Sequence, residues 1–360
     1  MMPTVNHSLS QTVLTGMMIK KLSPKINITI FIGILCFTLI SAVAQTVKVE
    51  PRIVIDKDKF KVKTIVSGNT GTAEKSVAVA AKVNISLCVS EGKLKINGWE
   101  RGEIRAFVGG GTEVGFKILE KSKQNNHAVW VMVVGFDTAK KQNPNVNECL
   151  SGDDIEIDVP RGATVNIKNY ESETNISSIA KLIIENAGGD IYINNIERGV
   201  DATTYEGDVT VEKSSGAISL SSTTGNIVAF DLAPSEIGDI FKAKTNSGAI
   251  TLQNVEHRQL EINSHSGSMK FSGEFQNGGQ YRFGTQNGTI ALSIPENSSC
   301  KILASYGFGV FNSEIPLQNV LKSTGSKTQS LTATMGGGDA TLNLTTYSGA
   351  IRIRKASAIK

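Results

Sequence analysis

Aromatic residues make up only 6% of the 360-residue chain, and it holds just eight prolines, four cysteines, four histidines and two tryptophans. No His or Cys spacing suits a zinc site, and no G-x-S-x-G elbow marks a hydrolase nucleophile. Stretches of helical period are scarce. Basic residues are scattered, apart from Arg352, Arg354 and Lys355, so no nucleic-acid footprint is present. What remains is an all-β class rich in glycine, with 35 of them.

The one long hydrophobic run, Ile26 to Ile40, follows Lys20, Lys21 and Lys25 and precedes Ala42-Val43-Ala44, a cleavage signal ahead of Gln45. Residues 1–44 read as a signal peptide, since the run falls short of the ~20 residues of a membrane span. Retention as an uncleaved anchor is the alternative. Met17 or Met18 is a more natural start than Met1, and Leu35 before Cys36 argues against lipid attachment. Cleavage removes three of the 37 basic residues and none of the 33 acidic ones, leaving 34 against 33. Cys88, Cys149 and Cys300 then remain. Cys88 and Cys149 can pair; three buried thiols is an equally open reading.

Residues 45–82 read as a lead-in or linker, in which Val77–Val83 suits a strand or a short helix. An N-terminal β region covers 83–150. Its signals are alternating Ile85, Leu87 and Val89, a turn at Asn97-Gly98, a strand from Glu103 to Val108, and a pair from Phe116 and Ala128. Residues 151–355 carry the dominant signal. Gly, a small or polar residue, an aliphatic, any residue and an apolar residue recur at Gly189, Gly207, Gly216, Gly248, Gly267, Gly288 and Gly349, with weaker copies at Gly225 and Gly338. Each marks a turn followed by a strand with one apolar face. Such units bury that face only by stacking on neighbours, as in a solenoid. Spacings from Gly189 to Gly288 of 18, 9, 9, 23, 19 and 21 call for turns of variable length. Leu317–Gln329 reads as an exposed irregular loop.

Ile96-Asn97-Gly98-Trp99-Glu100-Arg101-Gly102-Glu103-Ile104, Ile155–Ala163 and the Ser-Gly turns at Ser215, Ser247, Ser266 and Ser348 together resemble a family of bacterial envelope proteins. That family is built from β-strand repeats and labelled adhesins, with a domain of unknown function. The resemblance covers about residues 85–355 and implies a right-handed parallel β-solenoid or prism-like stack, exported and without known catalysis. The stretch between Ile104 and Ile155 and the loop at 317–329 depart from it.

Residue chemistry adds little to this. His127, His257 and His265 lack companion ligands and read as exposed. Asp154, Glu156 and Asp158 share one strand face, where a calcium site competes with a plain solvated surface. Ser219, Ser221, Ser222 and Thr223, then Thr245, Asn246 and Ser247, then Thr345 and Thr346 read as outward polar rows. These suit a cell-surface glycan or an envelope protein, or are ordinary β-surface. No catalytic, cofactor-binding or metal-ligating residue is assigned, and no cofactor is expected. The expected function is that of an exported, non-enzymatic adhesin or surface scaffold. The alternatives are a membrane-tethered envelope-stress partner and a carbohydrate-binding or lyase-type β-helix.

Overall fold

The computed structural model describes residues 73–136 and 149–356. The expected signal peptide at 1–44, the segment 45–72 and the polar loop containing Pro144 lie outside the described residues. Every element described is a β-strand, and all 24 join one hydrogen-bonded sheet system.

The N-terminal strands are β1 (Ala73–Trp99), β2 (Glu103–Gly109), β3 (Glu113–Lys121), β4 (Ala128–Phe136), β5 (Leu150–Pro160) and β6 (Thr164–Ser177). β1 pairs in parallel with β6 from Asn84 to Asn97, while β4 and β5 cover its other side. Val77–Val83 is thus strand. The turn expected at Asn97-Gly98 falls instead at Glu100–Gly102. Gly98 is needed for close approach, because a Cβ there would lie 1.6 Å from the Ser178 carbonyl oxygen.

Beyond β6 the chain coils. Each coil has a longer strand, a glycine corner, a shorter strand and a connecting turn. The coils are β7 (Lys181–Gly188) with β8 (Ile191–Asn194), β9 (Val200–Glu206) with β10 (Val209–Glu212), and β11 (Ile218–Thr224) with β12 (Ile227–Leu232). There follow β13 (Ile240–Ser247) with β14 (Ile250–Val255), β15 (Gln259–Ser266) with β16 (Met269–Ser272), and β17 (Gln280–Asn287) with β18 (Ile290–Ile294). Long strands pair only with long strands and short with short, always in parallel, so residues of equal rank form columns.

The C-terminal part departs from sequence order. It comprises β19 (Cys300–Phe308), β20 (Phe311–Ser313), β21 (Gln318–Thr324), β22 (Gln329–Met335), β23 (Ala340–Ser348) and β24 (Ile351–Lys355). β23 lies between β17 and β19, and β24 between β18 and β20. The coil made later is inserted beneath the coil made earlier. β21 and β22 form an antiparallel hairpin on the outer side of β19, so the loop expected at 317–329 is paired. All seven residues of β21 are exposed, which explains the absence of an apolar alternation there.

The inner faces of both rows merge into one apolar cluster running from Val79 to Ile353. A typical coil contributes Phe241 and Ala243 from its long strand and Ile250 and Leu252 from its short one. Each large side chain so buried is worth about 1.5–3 kcal/mol.

Candidate binding surface

The corner between the two rows is the most ordered polar feature. Gly189, Gly207, Gly225, Gly248, Gly267, Gly288 and Gly349 stack there, each with its Cβ position about 1.8–2.4 Å from a carbonyl oxygen of the neighbouring coil. No side chain fits in that space. Gly216 does not belong to this column; it precedes a long strand, and setting it aside removes the two short spacings. From Gly189 to Gly288 the repeat is then 18 to 23 residues, with the variation in the connecting turns.

Just inside the corner runs a second column, Thr204, Ser222, Thr245, Ser264, Thr285 and Thr346, joined by strand register. All six are buried. Ser222 donates to the Gly207 carbonyl at 3.2 Å, Thr245 to Gly225 at 3.0 Å and Thr346 to Gly288 at 3.0 Å. The rows read as outward therefore divide. Ser222, Thr245 and Thr346 face the core, where a corner carbonyl satisfies each hydroxyl. Ser219, Ser221 and Thr223 are half-buried, and Asn246, Ser247 and Thr345 are exposed. Outside the corner the apex residues Tyr205, Thr223, Asn246, His265, Gln286 and Tyr347 follow one another coil by coil, each flanked by paired positions.

On β5 the acidic row is split as well. Asp154 is exposed, Glu156 is half-buried and Asp158 is buried. Asp158 accepts from Arg105 Nε at 2.7 Å and from Asn97 at 3.3 Å. That bond to Asp158 is the main reason the Arg105 guanidinium is held above its ordinary value, although burial works against it. Arg105 also lies 5.9 Å from the ring centroid of Trp99, and Arg101 lies 4.8 Å from it. The Trp99–Arg101 stretch is thus a structural latch, and Asp158 is committed to it. Arg105 carries no distinguishing sequence pattern and was not singled out by sequence reasoning.

His127 and His265 are exposed, but His257 is completely buried. Its turn is tight, so the ring folds inward beneath that turn, 2.7 Å from the Gly216 carbonyl and 6.0 Å from the centroid of Phe241. Burial pushes its ionisation below the ordinary range, against the pull of Asp239 and Glu256. Cys88 and Cys149 form a disulfide, with Cα atoms 4.6 Å apart. Cys300 is a buried thiol pushed up to about 11 by desolvation. Among the described residues no group of three or more His, Cys, Asp or Glu is placed to hold a metal ion.

No curated protein matches the sequence. A crystal structure described as that of a putative cell adhesion protein from Clostridium sporogenes aligns over 79% of this chain and 99% of its own, at 13% identity and a TM-score of 0.21. The family model Toastrack DUF4097 matches residues 52–354, which takes in the glycine corner, the hydroxyl column and the inserted coil. The chain belongs to the Toastrack family.

Proposed function

We propose that this Toastrack protein is exported and non-enzymatic, and that it displays its corner and outer faces as an adhesive or scaffolding surface in the cell envelope. The observation that carries the reading is the register of the corner. Glycine and hydroxyl columns fix the backbone so that Asn246, His265 and Gln286 follow at successive coils, about 4.8 Å apart. A rigid periodic polar face binds an extended partner with little ordering cost.

Two further features support it. The Cys88–Cys149 disulfide suits an oxidising compartment, in keeping with the leader sequence. Each group with displaced ionisation has a structural place. His257, Tyr281 and Cys300 are core residues, Asp239 caps a loop and Arg105 holds Asp158. Protease shaving of intact cells with N-terminal sequencing tests the proposal. A mature chain starting at Gln45 and removed by external protease is the expected result. A protected chain retaining its hydrophobic run would sink it in favour of a membrane-tethered partner.

A further inference from the structure

Three successive connecting turns differ in length. Pro234–Asp239 between β12 and β13 swings outward, Glu256–Arg258 between β14 and β15 is tight, and Gly273–Gly279 between β16 and β17 swings outward again. The tight turn is the floor of a cleft and the two long turns are its walls. Two adjoining cavities of about 440 and 600 Å³ lie along it, sharing Glu256 and Gln276. The larger is of ordinary size for a small-ligand site.

Both walls are held rigid. Asp239 Oδ2 accepts from the Ser235 amide at 2.9 Å and the Glu236 amide at 2.8 Å. Opposite, the Gln276 amide donates to the Tyr281 hydroxyl at 2.7 Å, and Phe275 packs on Tyr281 with ring centroids 4.6 Å apart. The floor is tied down by Glu256 N to the Leu232 carbonyl at 2.8 Å and by buried His257 beneath it. A site so preorganised loses little on binding.

We infer that this cleft binds a neutral oligosaccharide. It is lined by Glu256, Arg258, Gln259, Gln276 and Gln280, and Ile237 stands fully exposed at the tip of one wall. Sugar hydroxyls both donate and accept, and three amides with one guanidinium and flanking carboxylates offer both functions in planar pairs. Ile237 supplies an apolar contact for the C–H face of a ring. The surplus of carboxylates, with Glu236 and Glu274 on the walls, repels a polyanion. Arg258, which has no ion-pair partner among the described residues, and the glutamines fit a hydroxylated ligand better than a lysine-rich peptide.

The inference deepens the binding role proposed above and rests on it, yet the two fail separately. Purified protein is titrated calorimetrically with cellohexaose, chitohexaose and maltohexaose, and with an oligolysine peptide. Saturable binding of at least one neutral sugar is expected. Arg258→Ala and Gln276→Ala should each weaken it ten-fold or more at unchanged melting temperature, and Lys123→Ala in the exposed turn after β3 should leave it intact. No sugar binding at millimolar concentration, binding indifferent to both cleft variants, or binding of the peptide alone would overturn the inference. A sugar-binding protein found inside cells would leave the cleft standing and remove the envelope role.

Discussion

The hydroxyl of Thr285 donates to the carbonyl oxygen of Gly267 across 3.1 Å, joining one coil to the corner of the coil before it. Replacing Thr285 by valine keeps the shape and leaves that carbonyl without its side-chain donor, at a cost of about 1–2 kcal/mol. The melting temperature should fall by several degrees, and Thr285→Ser should restore most of it. Equal stability of the valine variant would show that the column is incidental.

Glycine is needed at the corner for two reasons at once. Gly207 has φ of 124°, and a Cβ there would meet the Gly189 oxygen at 2.3 Å. Gly278 also has positive φ, 72°, but open space around it. Gly278→Ala should therefore cost only the left-handed strain, ~1–2 kcal/mol. Gly207→Ala should cost on the order of 3–5 kcal/mol, in the upper tail of single substitutions. Denaturant melts of the two variants decide the matter.

Burial keeps His257 neutral in the folded protein, whereas an unfolded histidine takes up a proton near pH 6.5. Below that pH the unfolded state binds more protons, so stability is fully present above it and is lost as pH falls. The slope is at most about 1.4 kcal/mol per pH unit for one group. His257→Gln should flatten the loss of stability below pH 6.5, and an NMR titration should find the native ring taking up its proton at lower pH than a free histidine.

The two kinds of cysteine should behave oppositely. Reducing Cys88–Cys149, which are 61 residues apart, should cost about 4 kcal/mol on the chain-entropy account. Cys300, buried and with its ionisation at about 11, should resist a thiol reagent at pH 8 until the protein unfolds. Peptide mapping after labelling follows both.

The repeating glycine phrase and the alternation after it were enough to read strands in a stacked, solenoid-like array, and the resemblance to the envelope family implied that the stacking is parallel. Columns at the corner were harder to place. Thr245 shares the inward period of Phe241 and Ala243, but its polarity suggests the surface, and only the Gly225 carbonyl explains its burial. His257 misleads in the same way, because a short turn folds it inward. The cleft was illegible as well, since a turn's length shows in sequence but not the stacking of a tight turn between two longer ones. Nor does alternation reveal the position of β23, whose Leu342 and Leu344 pattern would suit any slot in the stack.

That position has a consequence for how the protein is made. Residues 300–313 emerge during synthesis before residues 340–355, yet the later segment lies underneath. Leu342 sits between Tyr281 and Ile302, so a nascent chain halted before it can only leave that gap open or close it with the wrong neighbour. The glycine turn at 336–338 reaches around the start of β19, where Ser299 Oγ donates to Asp339 at 2.6 Å, and fastens the arrangement once the segment is in place. A polypeptide interrupted in this region should be readily digested, while one that has passed it locks, so the stack distinguishes finished copies of itself from unfinished ones.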